Sequence, residues 1–171
     1  MRKFMGIWGI VAAVLFIIPG HSSGQTEYLV ISPGSAKPNN YDFAGLKWHA
    51  YSWEFYFEST SIDTKYATAP VHLPAGATVK KLHVICTDTS GAVDEDVEVL
   101  LRRHDFVTGT MQTLASVNSV TKPPGPDRKL LTDNSIDHPV IDAMYSYDLV
   151  LRFFVGGDSA KFHGAIIVYR E

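Results

Sequence analysis

The chain has 171 residues, with 15 Lys plus Arg against 18 Asp plus Glu, 46% hydrophobic and 12% aromatic residues. That length suits one globular domain, and a net charge of −3 without a basic run excludes the electrostatic footprint of a nucleic-acid binder. A single cysteine, Cys86, excludes an intrachain disulfide framework.

Met1, Arg2 and Lys3 place positive charge ahead of Phe4 to Ile18, an apolar run without a charged residue. At ~1.5 Å per residue such a run makes ~22 Å of helix, short of a ~30 Å hydrocarbon core. Pro19, Gly20 and the small residues Ser22, Ser23 and Gly24 then supply the breaker and recognition site of a signal peptidase, with cleavage before Gln25. Residues 1–24 therefore read as a signal peptide, a retained anchor being the alternative, and residues 25–171 as the domain. The expectation is a secreted or periplasmic protein with no membrane span after cleavage. Cleavage removes Arg2 and Lys3 and no acid, so the mature chain is more acidic than the whole. A domain of this size buries roughly 68–70% of its unfolded surface, enough for a core without disulfides.

The mature chain alternates apolar and polar residues with period 2 and shows no competing helical period. Glu27–Ser32 opens it and stops at Pro33-Gly34. Lys47–Glu58 reads as one long aromatic strand, and Tyr66–Leu73 runs into the turn Pro74-Ala75-Gly76. Thr78–Thr87 follows, then a loop over Asp88–Gly91, then Val93–His104 and Met111–Val117. Pro123–Pro126 reads as a surface loop because proline cannot donate to a ladder, with Leu130–Thr132 and Val140–Ala143 as short strand candidates. Met144–Val155 puts Tyr145, Tyr147, Leu149, Leu151 and Phe153 on one face, and Phe162–Arg170 ends the chain. Eight to ten short strands with turns between them predict an all-β fold: a single antiparallel β-sandwich, jelly-roll-like.

The order Tyr66-Ala67-Thr68-Ala69-Pro70-Val71-His72-Leu73-Pro74-Ala75-Gly76-Ala77-Thr78-Val79, followed by Val97-Glu98-Val99-Leu100-Leu101-Arg102-Arg103, Thr113-Leu114-Ala115-Ser116-Val117 and His163-Gly164-Ala165-Ile166-Ile167-Val168-Tyr169, resembles a domain common in secreted bacterial proteins of unknown function. The resemblance runs from Tyr66 to the end and implies export and a β-sandwich. It implies no reaction, because its repeated residues are those of turns and core.

Several groups could carry chemistry. Tyr41 to Phe57 holds eight aromatics, of which Tyr51, Trp53, Phe55 and Phe57 share the parity of a core face while Trp48 and Tyr56 fall on the other, beside Glu54 and Glu58. Trp48 and Tyr56 are therefore the ligand or interface candidates, able to stack on sugar faces or anchor a protein partner, unless both faces are simply covered. Asp88, Asp94, Glu95 and Asp96 offer oxygen ligands for Ca²⁺, but without the spacing of a calcium loop. His49, His72, His83, His104, His138 and His163 form no metal motif. Gly157-Asp158-Ser159 reads as a turn rather than a nucleophile motif, and Glu54, Glu58 and Asp148 are the acids from which a hydrolase pair could be drawn. Cys86 shares parity with Leu82 and Val84 and is expected in the core, an intermolecular disulfide being the alternative.

No cofactor, catalytic residue or metal site is expected. The first expectation is an exported, non-catalytic structural or interaction module that forms a homo-oligomer through sheet faces or edges. The alternatives are a carbohydrate-binding, lectin-like domain with a glycan partner and, third, a secreted hydrolase.

Overall fold

The computed structural model describes residues 24–39, 48–51, 53–58, 64–90, 97–154 and 159–171. The expected signal peptide up to Ser23 lies outside them, as do Asp94, Glu95 and Asp96 of the acidic loop and Gly157-Asp158 of the late turn. Among the described residues no helix is long and apolar enough to cross a membrane.

Eleven strands follow one another: β1 (Thr26–Ile31), β2 (Lys37–Pro38), β3 (Trp48–Ala50), β4 (Phe55–Phe57), β5 (Lys65–Val71), β6 (Thr78–Asp88), β7 (Val97–Asp105), β8 (Met111–Asn118), β9 (Gly125–Asp133), β10 (Tyr145–Phe153) and β11 (Ala160–Arg170). Short 3-10 turns stand at Pro33–Ser35 and Ser119–Thr121. The strands form two antiparallel sheets. One runs β3-β4-β11-β6-β9, with β1 beside the C-terminal half of β11; the other runs β2-β5-β10-β7-β8. This is the expected β-sandwich; among the described residues only β3–β4 and β7–β8 pair consecutive strands, and the other neighbours are joined by crossovers.

Period-2 alternation explains the core. Leu82, Val84, Cys86, Phe162, Ala165 and Ile167 of the first sheet face Ala67, Ala69, Val97, Val99, Leu101, Leu149, Leu151 and Phe153 of the second, and all are buried. Phe153 joins the sheets through Phe55 (ring centroids 5.9 Å apart) and Phe57 (5.4 Å), the latter edge-on, the geometry that ring quadrupoles favour. Cys86 is fully buried and free, and burial pushes its thiol up to about 12. A thiol enclosed in this way is a small apolar side chain rather than the site of an intermolecular disulfide.

Three expectations about elements are corrected. Lys47–Glu58 is a hairpin of β3 and β4, not one strand. Pro126 lies inside β9, which begins at Gly125; β9 is an edge strand, where a missing N–H is tolerated. Val140–Ala143 makes one bridge, Thr78 to Val140, and no strand, because its backbone groups are taken up by the Pro74–Gly76 turn region, as in Gly76 N–H donating to the Ile141 carbonyl.

The outer face of the second sheet carries paired charges. Arg102 and His104 both approach the Asp148 carboxylate, at 3.5 and 3.2 Å, and Arg152 bonds Glu98. The Arg152 guanidinium also lies 4.8 Å from the Phe154 ring centroid. Val150, between Asp148 and Arg152 along β10, is buried although it points away from the core.

Candidate functional site

The β3–β4 hairpin at the edge of the first sheet presents a stack of rings. Its register pairs Trp48 with Phe57, His49 with Tyr56 and Ala50 with Phe55, and it closes where the Tyr51 N–H donates to the Glu54 carbonyl at 2.8 Å. His49 and Tyr56 are direct cross-strand neighbours and stack with centroids 4.8 Å apart at 17°. Tyr51 continues the stack on His49 at 5.7 Å, and Trp53, at the hairpin tip, lies on Tyr51 at 5.3 Å and 8°. Trp53 is 57% and Tyr51 41% exposed.

This differs from the expected arrangement. Tyr51 and Trp53 were assigned to the core by parity, but chain reversal at the tip carries both into solvent and leaves only Phe55 and Phe57 inside. Of the two candidates, Tyr56 is a member of the stack. Trp48 sits opposite Phe57 rather than beside Tyr56, and its side chain lies outside the described part of the structure. His49, Tyr51, Trp53 and His163 are the site residues that parity alone misses.

Hydrogen bonds hold the rings. The Glu58 carboxylate can only accept, so His49 Nε2 donates to Glu58 Oε2 at 3.3 Å, while Nδ1 pairs with the Tyr51 hydroxyl at 3.2 Å. Lys161 of β11 approaches Glu54 Oε2 at 3.5 Å and sits 5.0 Å from the Tyr56 ring centroid.

A bulge in β11 positions the last member. Phe162 pairs with Cys86 and Gly164 with Ile85, so His163 is an extra residue that the ladder leaves over. Its Nδ1–H donates to the Trp53 carbonyl at 2.9 Å, and its Nε2 accepts from the Thr87 hydroxyl at 2.8 Å. Nε2 can accept from Thr87 only in the neutral ring, whereas Nδ1–H can donate to the Trp53 carbonyl in either protonation state. Burial, the largest influence on this imidazole, holds its pKa below the ordinary 6.5. Gly164 makes the bulge feasible. Its φ is +135°, and a Cβ there would lie 3.1 Å from the Ile31 carbonyl oxygen. Beside the hairpin, Glu54, Thr87, Thr89, Arg128, Lys161 and His163 line an open polar groove of about 300 Å³. The rings and the groove together offer apolar plates bordered by hydrogen-bonding groups of both signs.

The other candidates do not join this site. Asp88 is buried, accepts from the Ser119 hydroxyl at 2.6 Å and the Ser90 N–H at 3.0 Å, and lies 3.9 Å from Lys129, so its carboxylate is already committed. Asp148 is on the outer face of the opposite sheet from Glu54 and Glu58, which rules out pairing with either. His83 and His104 are bound to Thr132 and Asp148 respectively. No group of three or more His, Cys, Asp or Glu able to hold a metal occurs among the described residues.

No family model and no curated protein sequence matches the chain. Solved structures do. The CBM22-1–GH10 modules of endo-1,4-β-D-xylanase 10B from Clostridium thermocellum, complexed with xylohexaose, align with a TM-score of 0.55 at 11% identity, covering 82% of this chain. The present chain spans only 27% of that structure. The C-terminal CBM6 of LamC, a marine laminarinase from Zobellia galactanivorans, aligns with a TM-score of 0.50 at 8% identity, over 82% of this chain and 98% of its own. At such identities the likeness establishes the fold, a β-sandwich shared with carbohydrate-binding modules.

Proposed function

We propose that this protein is an exported, non-catalytic carbohydrate-binding module that lays a glycan on the β3–β4 platform. The observation that carries the reading is the four-ring stack ending in the exposed Trp53. Sugar rings have apolar C–H faces and a polar rim. A fixed indole face takes the former, and the Tyr51 hydroxyl, Glu54, Lys161 and Arg128 beside it suit the latter. Glu58 and His163 keep the rings in place before any ligand arrives, which lowers the ordering cost of binding. The shared fold with carbohydrate-binding modules supports this reading ahead of the self-associating module. An oligosaccharide target outside the cell also agrees with a signal peptide over residues 1–24. Glu54 and Glu58 are each engaged by a neighbouring Lys or His, which favours a binding role over the acid pair of a hydrolase.

Electrophoresis of the mature protein through native gels cast with soluble xylan, laminarin or another polysaccharide tests the proposal. The wild type is expected to be retarded by at least one glycan, and a Tyr51→Ala/Trp53→Ala variant with an unchanged circular dichroism spectrum is expected to run freely. Free migration of the wild type through a broad panel, together with a dimer on a sizing column, would return the self-association reading.

A further inference from the structure

A second groove, about 310 Å³, opens on the outer face of the same sheet and is lined by Thr26, Tyr28, Lys80, Lys81, His83, Val168 and Arg170. Three full cations and an imidazole meet there with no carboxylate in the lining, on a chain whose net charge is −3. A bulge creates the cluster. Val168 pairs with Lys81 and Tyr169 with Val79, so Lys80 is the extra residue of β6, and it and Lys81 are both exposed between the buried Val79 and Leu82. Neither lysine nor Arg170 has a side-chain hydrogen bond or ion pair among the described residues. On the opposite sheet, by contrast, Arg102 and Arg152 are each matched with an acid. Glu27 and Glu171 act on Tyr169, and neither lines the groove. Tyr28, 65% exposed, adds an open ring at the groove wall.

The groove and the platform lie along one face of β6. Lys81, His83, Ile85 and Thr87 occupy alternate positions along β6; the first two line the basic groove and Thr87 lines the groove beside the hairpin. At ~3.3 Å per residue the six steps from Lys81 to Thr87 cover ~20 Å, a length suited to an extended oligosaccharide rather than one sugar.

We infer that the Lys80–Lys81–Arg170 groove is an anion subsite, and that the glycan is an acidic polysaccharide whose carboxylate or sulfate groups sit there while neighbouring rings stack on Tyr51 and Trp53. The inference rests on the glycan reading above and adds the ligand's charge. A nucleic acid fits less well, because one open ring, Tyr28, borders the three cations, whereas a bound single strand stacks successive bases on several.

The test compares the mature wild type, Lys80→Ala/Lys81→Ala and Trp53→Ala on polygalacturonate, dextran sulfate and neutral xylan. Binding is measured at low salt and at 0.15 M salt, with thermal melting as the check of folding. The expected result is that the double lysine variant loses on the order of tenfold in affinity for an acidic glycan, keeps its affinity for neutral xylan, and loses most of the wild type's salt sensitivity. The acidic glycan affected identifies carboxylate or sulfate as the preferred group. Unchanged acidic-glycan binding in the lysine variant, with loss in Trp53→Ala, would overturn the anion subsite and leave the platform standing. Failure of the wild type to bind any of the three would remove the platform reading and the subsite together. Lysine-dependent binding to DNA or phosphatidylglycerol vesicles at equal strength would overturn the assignment to a glycan.

Discussion

Trp53→Ala removes the terminal plate of the stack and nothing from the core. An indole offers roughly 250 Å² of accessible surface at most. With 57% of Trp53 exposed, about 140 Å² is open in the free protein, and a sugar ring on one face covers about half of that. At ~25 cal/mol per Å², ~70 Å² corresponds to ~1.8 kcal/mol, close to a twentyfold loss of affinity. Isothermal titration against a glycan that retards the wild type measures this directly, and Trp53→Phe should recover part of the loss because a smaller plate remains. Melting should move little, since the lost contact with Tyr51 is at the surface. Trp53→Ala affinity within twofold of wild type would show that the ligand does not touch the hairpin tip and would refute the platform.

Three further outcomes follow from the geometry. His163 is held neutral with a pKa below 6.5, so the unfolded chain takes up its proton first as pH falls. The stability contributed by this buried neutral ring is complete above ~6.5 and is lost as pH drops through the depressed folded value. Melting temperature and glycan affinity should both fall on acidification across that window and should flatten there in His163→Gln; a wild-type profile unchanged by the substitution would show that His163 does not hold the hairpin. Gly164→Ala forces a side chain into φ +135° against the Ile31 carbonyl, which costs ~1–3 kcal/mol and lowers the melting temperature by several degrees; an unaltered melt would mean that the bulge relaxes freely. Cys86, fully buried with a thiol at about 12, should resist a thiol reagent in the native protein and react at once in guanidinium chloride, so rapid native labelling would contradict the packing of β6.

Much of the fold can be read from strand periodicity because burial imposes it directly. Leu149, Leu151 and Phe153 alternate with Asp148 and Arg152, and the sheet buries the first set. Edges are less legible. Pro126 looks like a strand breaker, yet an edge strand needs no N–H on its solvent side, and only the topology shows that β9 is such an edge. Val150 has the parity of an outward residue and is nevertheless buried, and alternation cannot foresee that the ion-paired side chains of Asp148 and Arg152 flank it.

The site was less visible for a specific reason: parity assigns faces only while the chain keeps its direction. Between Ala50 and Phe55 no Gly, Pro, Asn or Asp marks a turn, so Lys47–Glu58 scans as a continuous strand and the reversal at Trp53 goes unseen. Once the chain turns, the partner of Tyr56 becomes His49 and not Trp48, and Trp53 moves from expected core to hairpin tip. The two bulges act in the same way, each adding one residue that alternation cannot place: His163 in β11, which bonds the hairpin tip, and Lys80 in β6, which takes the basic groove from two full cations to three. Of the three, only the β11 bulge left a readable sign, Gly164 inside an otherwise β-branched and apolar run. The candidate platform and the basic groove thus gather where the ladder is interrupted: the reversal at Trp53 adds Tyr51 and Trp53 to the cross-strand pair of His49 and Tyr56, and the β6 bulge sets Lys80 beside Lys81 on one outer face.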